Sequence, residues 1–165
     1  MMVNWKNIKK ILIVDDDNTQ MGPIAEFMLR DAIKNSSKMA IRAISVKAMG
    51  IRRKNNEMSN RAISYLQQHN IRTYDVYRVT IITPFLAQGY DLILCLNDYC
   101  LKKVKMSILF ETIDKYEGKI HLFTELVGLS GDISDPDDDY DKFYQEVEKI
   151  APVIQRIVKE LEKNN

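Results

Sequence analysis

The sequence has little of several things that would indicate a specialised class of protein. Its two cysteines, Cys95 and Cys100, are too few for a disulfide framework and are not spaced as metal ligands. We therefore expect free, buried thiols in a reducing cytoplasm. No apolar run is long enough to span a bilayer, and residues 1–10 are too polar for a signal peptide. The net charge of +1 gives no reason to expect nucleic acid or an anionic membrane as partner.

The remaining composition is that of an ordinary globular domain. The 165 residues are 45% hydrophobic and 28% charged, which is typical of soluble proteins of one domain. The sequence shows no internal repeat, low-complexity tract or change of composition. We therefore predict a single domain over residues 1–165.

Strand and helix patterns alternate along the chain. Strands are predicted at 10–14, 39–46, 90–96 and 119–123. The first predicted helix begins at Gly22 and Pro23, and others are predicted over 60–69, after a capping Thr83, and over 101–110. The last predicted element is one long closing helix over 143–161. This alternation predicts an α/β fold with a four-stranded parallel sheet and helices on both faces, layered as in flavodoxin. Ligands of such sheets bind beyond the carboxyl ends of the strands, and the loop after the first strand lies there.

That loop contains the most informative residues of the chain. Its strand, loop and helix pattern is the form that cradles a phosphate on backbone amides at a helix N-terminus. Yet Asp15, Asp16 and Asp17 follow the strand directly. Repulsion between like charges about 4 Å apart costs ~4 kcal/mol at an effective dielectric of 20, against ~1 kcal/mol or less from the helix N-terminus. We predict weak or absent binding of phosphate, vanadate or arsenate; alternatively, Asp15 itself occupies the amides as an internal phosphate mimic.

The loop and several later segments resemble the low-molecular-weight protein tyrosine phosphatases, whose close relatives include arsenate reductases. The family's loop has the form V-C-x-G-N-x-C-R-S-P-x-A-E, and the residues here that match it are Val14, Asn18, Pro23, Ala25 and Glu26. Further matches, in the family's order, are Ile44-Ser45, Arg61-Ala62, Thr83-Pro84, 90–94, 119–122 and Asp135-Pro136. Their order over nearly the whole chain implies the family's fold.

The resemblance also implies that the family's chemistry is missing. In the family, the loop cysteine attacks phosphorus as a thiolate and an arginine six residues later binds the phosphoryl oxygens. Asp15 and Met21 occupy these positions here. Asp135 matches the general acid, but Asp137 replaces the aromatic wall of the substrate slot. The counterparts of the remaining binding-loop residues are Asp16, Asp17, Asn18, Thr19, Gln20 and Gly22, with Ser45 and Asn18 matching residues that hold the loop in shape.

The resemblance therefore favours a pseudophosphatase, which binds a protein partner or a divalent cation and is not an enzyme. A second hypothesis uses the carboxylates themselves. The pattern Asp15-x-Asp17-x-Thr19 after an apolar strand also opens the haloacid-dehalogenase-like phosphatases, in which the first aspartate is the nucleophile and Mg²⁺ neutralises the charge. A response-regulator receiver domain fits less well, because its phosphorylated aspartate would fall at Leu96.

A metal site is a separate hypothesis. Asp15, Asp17 and Asp135 are expected at one strand-end edge, where carboxylate oxygens suit Mg²⁺ or another hard cation. The alternative is a solvated acidic rim balanced by Arg52 and Arg53. We favour the rim, since aspartates in loops are mostly turn formers, and we expect no cofactor other than Mg²⁺.

Overall fold

The computed structural model describes residues 3–73, 76–109, 116 and 118–165. Its strands are β1 (Lys10–Asp15), β2 (Ser45–Gly50), β3 (Leu92–Cys95) and β4 (Ile120–Leu122). Its helices are α1 (Met21–Lys34), α2 (Met39–Arg42), α3 (Asn60–Gln68), α4 (Pro84–Ala87), α5 (Asp98–Leu109), α6 (Tyr140–Val147) and α7 (Ile150–Asn164), with a 3₁₀ turn at Phe123–Val127. Phe110, the last residue of the helix predicted over 101–110, lies outside the described residues.

The four strands form one parallel sheet in the order β2-β1-β3-β4. Alternate residues of β1 point to opposite layers, because side chains along a strand alternate in direction. Ile11 and Ile13 pack into the core shared with α1, α3 and α7, whereas Leu12 and Val14 pack on the side of α5. The predicted α/β fold, with a four-stranded parallel sheet and helices on both faces, is confirmed.

The predicted second strand, 39–46, is wrong in position. The first part of that segment is the short helix α2, and β2 begins only at Ser45. The alternation of Ile41 and Ala43 that suggested a strand reflects one helical turn that buries Ile41 beneath exposed neighbours. The true strand contains Lys47, Ala48 and Gly50, which have low strand propensity, so its own sequence gave a weak signal.

The predicted closing helix, 143–161, is two helices. Helix α6 ends at Val147 and α7 starts at Ile150, with Glu148 and Lys149 between them. Pro152 lies in the first turn of α7, where its missing N–H is not needed. In one continuous helix, the same residue would have to donate a hydrogen bond to the preceding turn, which proline cannot do. The apolar periodicity continues across the break because both helices pack on the same core.

The capping residue predicted at Thr83 is confirmed. Its Oγ1 accepts a hydrogen bond from the amide of Leu86 at 3.2 Å, and Pro84 follows at the first helical position. Within the described residues, no helix is both long enough and apolar enough to cross a membrane.

Candidate functional site

The loop between β1 and α1 lies at the carboxyl edge of the sheet, at the strand where the chain order reverses. The next strand in sequence, β2, pairs on one side of β1, and β3 pairs on the other. Crevices at such reversals are where open α/β sheets bind ligands. The loop residues between Asp15 and Gln20 are buried except Asp16, which is partly exposed.

Asp15 turns its carboxylate back onto the loop's own backbone. Its Oδ2 accepts a hydrogen bond from the Gly22 amide at 2.9 Å, and its Oδ1 accepts one from the Asp16 amide at 2.8 Å. Burial of the side chain, which is 2% exposed, raises the pKa of Asp15 to about 7. The two amide bonds lower it, and the carboxylates of Asp17 and Asp135 raise it. Asp15 therefore fills the amide site with a carboxyl that is half ionised near neutral pH.

Asp16 has a different environment. The guanidinium of Arg52 contacts both of its carboxylate oxygens, with Nη2 to Oδ2 at 2.7 Å and Nε to each oxygen at 3.1 Å. The Arg52 backbone amide also donates to the Asp16 carbonyl. Arg52 thus neutralises this carboxylate, whereas Arg53 donates to Asn56. The expected solvated acidic rim is wrong for Asp15 and Asp17, because both side chains are buried.

Asp17 shapes the turn that follows the strand. Its Oδ1 accepts from the Thr19 amide at 3.0 Å and from the Thr19 hydroxyl at 2.7 Å. This pattern is an aspartate turn, in which the side chain replaces a backbone acceptor. Its Oδ2 is buried and has no partner among the residues that the structure describes.

The unpartnered oxygen of Asp17 belongs to a pair with Asp135. Oδ1 of Asp135 accepts from the Gln20 side chain at 3.2 Å and from the Asp137 amide at 2.9 Å, while its Oδ2 is buried and, like that of Asp17, has no partner in the described part of the chain. Burial raises the pKa of Asp135 to about 6 against the Asp137 amide, and the neighbouring carboxylate of Asp17 adds to the rise. Two neighbouring carboxyls repel each other when both are ionised, which favours a proton on one of them.

Asn18 connects the loop to the edge strand β2. It has a left-handed backbone with a φ of 58°, a conformation that asparagine tolerates. Its amide nitrogen donates to the Ala48 carbonyl at 3.2 Å, and its oxygen accepts from the Tyr77 hydroxyl at 3.1 Å. Tyr77 also contacts Glu26, whose Oε2 accepts from the Ala48 amide at 2.8 Å. The retained Asn18 and Glu26 thus hold the loop geometry.

Tyr77 and two cations were missed by the sequence reasoning. Tyr77 is 6% exposed, and its hydroxyl donates directly to Asn18 of the loop. Arg61 donates to the carbonyls of Asp138 and Asp139 at 3.1 Å, and Lys54 lies 3.3 Å from Asp137. No local signal identifies these partners, since each contact joins segments more than fifty residues apart.

Gln20 joins the loop to the segment around Asp135. Its side-chain nitrogen donates to Asp135 and also to the Asp137 carbonyl at 3.0 Å. The next residue, Met21, is fully buried in the core at the start of α1. Gly22 has no room for a side chain, since a Cβ there would lie 2.7 Å from the Cβ of Asp15 and 3.0 Å from its Oδ2.

Ser45 does not join the site, and its predicted placement is wrong. It is the first residue of β2 and pairs with Lys10, whereas Asp15 pairs with Gly50. Because the strands are parallel, Ser45 lies at the opposite edge of the sheet. The error follows from the misplaced strand, which ended where β2 begins.

The three carboxylates proposed as metal ligands do meet at one edge, but they do not form a metal cluster. The described residues contain no group of three or more acidic, histidine or cysteine side chains arranged to hold an ion. Each Asp15 oxygen accepts one backbone amide, which leaves a second lone pair on each oxygen but turns the carboxylate toward its own loop. Cys95 and Cys100 are free and buried, and burial raises the pKa of both thiols.

The parallel sheet has helices on both faces, and a loop whose backbone amides can bind an anion leads into a helix at the strand where the chain order reverses. This arrangement defines the chain as an α/β protein with a loop of the kind that binds phosphate in other proteins. Residues 10–165 match the sequence profile of the low molecular weight phosphotyrosine protein phosphatases. The chain belongs to that family. A search of the curated proteins gave no match.

Several solved structures share the fold of this chain. YfkJ from Bacillus subtilis is 17% identical, with a TM-score of 0.80 over 96% of this chain and 98% of its own. The tyrosine phosphatase Wzb from Escherichia coli K30, solved with sulphate, is 20% identical, with a TM-score of 0.77 over 93% and 99%. The YwlE arginine phosphatase from Geobacillus stearothermophilus is 18% identical, with a TM-score of 0.77 over 94% of each chain. At this identity the likeness shows the fold.

Proposed function

We propose that this member of the family does not hydrolyse phosphate esters and acts by binding, as a cytoplasmic pseudophosphatase. The observation that carries the proposal is the Asp15 carboxyl seated on the amides of Asp16 and Gly22. By the motif alignment, Asp15 stands where the family has its cysteine nucleophile. A ligand phosphate would have to displace a covalently attached group that already accepts these hydrogen bonds.

Met21 and Gly22, which stand at the arginine and the following serine of the family's loop motif, support the same proposal. Met21 offers no charge to phosphoryl oxygens, and its side chain is fully buried in the core. Gly22 leaves room for the carboxyl of Asp15, since a side chain at this position would meet Asp15 within 3.0 Å. The three substitutions are thus mutually compatible: one fills the anion site, one removes the cation, and one removes the obstruction.

The structure changes the reason to expect weak phosphate binding, but the expectation itself stays the same. Repulsion among three ionised aspartates is weaker than the sequence suggests, because Arg52 neutralises Asp16 and burial raises the pKa of Asp15 to about 7. Occupation of the amide site by Asp15 replaces repulsion as the main reason to expect weak phosphate binding. The hydrogen bonds of Asn18 to Ala48 and Tyr77 hold the loop in this shape.

A binding role is supported by the ordered surface around the loop. Gln20, Lys54 and Arg61 connect three segments through bonds to the backbone or side chains of residues 135–139. Such cross-links reduce the entropy lost when a surface is fixed on binding. The occupant we propose is a protein partner or a divalent cation. The free, buried thiols of Cys95 and Cys100 support a reducing, cytoplasmic location.

The runner-up, an Mg²⁺-dependent phosphatase with Asp15 as nucleophile, has less support. A carboxylate attacks as a nucleophile in its ionised form, whereas burial raises the pKa of Asp15 to about 7. Both of its oxygens also accept backbone amides, which reduces their nucleophilicity. The described residues also lack a three-ligand metal cluster. No specific observation favours this alternative.

Hydrolysis of p-nitrophenyl phosphate with and without Mg²⁺ tests the proposal. We expect no turnover above the buffer rate in either condition, and no protection by millimolar vanadate in thermal unfolding. Asp15→Asn is the diagnostic variant, and Asp16→Asn in the same loop is its control. Metal-dependent turnover that disappears in Asp15→Asn but persists in Asp16→Asn would overturn the pseudophosphatase reading.

A titration with Mg²⁺ or Ca²⁺ separates the two proposed occupants. A rise in melting temperature with the cation, lost in Asp17→Asn, would favour a cation. An unchanged melting temperature would leave a protein partner as the proposed occupant.

A further inference from the structure

A cavity that is lined mainly by polar and charged groups lies at the opposite edge of the sheet from the Asp15 loop. Its volume is about 580 Å³, and its walls are the second half of α1, the end of α2, the start of β2 and the segment that follows α3. Ser45 lines it and pairs with Lys10, whereas Asp15 pairs with Gly50 five residues further along β2. At about 3.3 Å per strand residue, the cavity and the loop are about 16 Å apart. The cavity is therefore independent of the proposed function.

The charged side chains of this cavity are nearly all cations. They come from α1, from α2 and from the segment after α3, and they are Arg30, Lys34, Arg42 and Arg72. Among the described lining residues, Asp31 is the single carboxylate. Like charges that the fold brings together from separate segments repel each other, so an anion between them would stabilise the arrangement.

Arg42 is held in place without losing its charge. Its Nη1 donates to the Ser36 carbonyl at 2.9 Å and to the Ser37 carbonyl at 3.4 Å. Both acceptors are neutral, so the guanidinium keeps its full positive charge. A guanidinium has five N–H donors, and these two bonds occupy only one of its nitrogens. Arg42 is therefore an oriented cation with donors left for a ligand.

The other three cations differ in how far their charge is offset. Arg30 lies 3.4 Å from the buried Glu26, which offsets part of its charge. Lys34 and Arg72 are exposed, and neither forms an ion pair with a residue in the described part of the chain. Lys34, Arg42 and Arg72 therefore supply most of the positive charge that a ligand would meet.

The apolar residues of the cavity lie beneath its surface. Phe27 and Ile33 of α1 and Ile44 and Val46 of the β2 side are buried in the main core. They place a medium of low dielectric constant under the cations. A cleft with charges of one sign on such a wall concentrates the electric field and attracts counter-ions.

Three neutral polar residues complete the lining that a ligand can reach. Ser45 and Asn70 are exposed, and Thr73 is half-buried. Their hydroxyl and amide groups can donate hydrogen bonds, as the cations do. The accessible lining thus favours a hydrophilic ligand with many acceptor oxygens.

We propose that this cavity binds a small hydrophilic polyanion that carries a chain of phosphate groups, with the phosphates contacting Lys34, Arg42 and Arg72. Guanidinium forks match the geometry of phosphate oxygens, and lysine binds them as a point charge. The volume falls within the range of about 300–1,000 Å³ that is typical of small-molecule sites. Cations from three separate segments suit several linked phosphates better than a single one.

Isothermal titration calorimetry with inorganic tripolyphosphate, in metal-free buffer at fixed ionic strength, tests the proposal. We expect saturable binding, and weakening of at least about tenfold, or about 1.4 kcal/mol, in Lys34→Glu/Arg72→Glu. The control variant Lys105→Glu/Lys159→Glu makes the same change of net charge at exposed lysines that do not line the cavity, and it should bind tripolyphosphate as the wild type does. Orthophosphate should bind at least about tenfold more weakly, because it lacks the effective concentration of linked groups.

A second probe and a milder variant distinguish the possible results. Binding of ATP as tight as that of tripolyphosphate assigns the site to the phosphate chain alone, and tighter binding of ATP adds a nucleoside to the ligand. If Lys34→Glu/Arg72→Glu unfolds, Lys34→Gln/Arg72→Gln replaces it, with Lys105→Gln/Lys159→Gln as its control and a smaller but measurable loss expected. Equal tripolyphosphate binding by the cavity and control variants, or no saturable binding at all, would overturn the proposal.

Discussion

The buried Asp15 carboxyl predicts an unusual dependence of stability on pH. Most aspartates stabilise the folded state as the pH rises, but a carboxyl whose pKa is raised by folding does the opposite. Asp15 has a pKa of about 7 in the folded protein, against an ordinary 3.8. Between these two values the native state holds a proton that the unfolded chain has released. The free energy of unfolding therefore falls as the pH rises from about 4 to about 7.

The size of the effect follows from the same two pKa values. Each pH unit inside this window changes the free energy of unfolding by about 1.36 kcal/mol. From pH 5 to pH 8, the titration of Asp15 removes about 3 kcal/mol, a large part of the 5–15 kcal/mol that is typical of whole domains. Asp15→Asn removes this titration, at the constant cost of about 1 kcal/mol for one of the two amide hydrogen bonds.

Urea unfolding at several pH values, on the wild type and on Asp15→Asn, measures the difference. We expect the wild type to be the more stable protein at pH 5 and to lose that advantage by pH 8. Asp135 also titrates in this range, with a pKa of about 6, but it is present in both proteins and its contribution largely cancels. Two parallel curves of stability against pH would refute the reasoning.

Two further predictions concern the same edge of the sheet. Asp135→Asn should raise the free energy of unfolding at pH 8 by about 1 kcal/mol, because its amide can donate to the unpartnered oxygen of Asp17; a lower melting temperature at pH 8 would contradict this. Gly22→Ala should destabilise by about 1–3 kcal/mol, since its Cβ would lie 2.7 Å from Asp15. Gly89→Ala, whose nearest contact would be 3.5 Å, is the control, and equal losses in both variants would count against the steric argument.

Much of the fold could be predicted because buried parallel strands have a strong sequence signal. The apolar runs of β1 and β3 are flanked by polar residues, and both strands were located to within two residues. Strand β2 was misplaced because several of its own residues have low strand propensity. The preceding helical turn, α2, has an alternation of apolar residues that is typical of a strand. The break before α7 was missed because the spacing of apolar residues shows which face of a helix is buried. It does not show whether one helix or two successive helices carry that face.

The candidate site was predictable in its loop and unpredictable in most of its partners. The positions of Asp15 and Asn18 follow from the strand and the helix that bracket them. The meeting of Asp17 with Asp135, 118 positions later in the chain, was expected from the strand-end edge that both segments share. The contacts of Tyr77, Lys54 and Arg61 had no signal in the sequence. The ionisation of the loop could not be predicted either, because the pKa of Asp15 depends on burial and on neighbours brought by the fold.

Glu26 has a consequence for the protein's behaviour in concentrated solution. Strand β2 is an outer strand of the sheet, and outer strands offer unpaired backbone groups on which another chain can begin a β-aggregate. Here the outward amide and carbonyl of Ala48 are occupied by Glu26 and Asn18, and those of Gly50 by Thr80 and Ile82. The side chains that hold the loop in shape thus also close this part of the sheet to intermolecular strand pairing, so damage to the loop should increase aggregation as well as disturb the site.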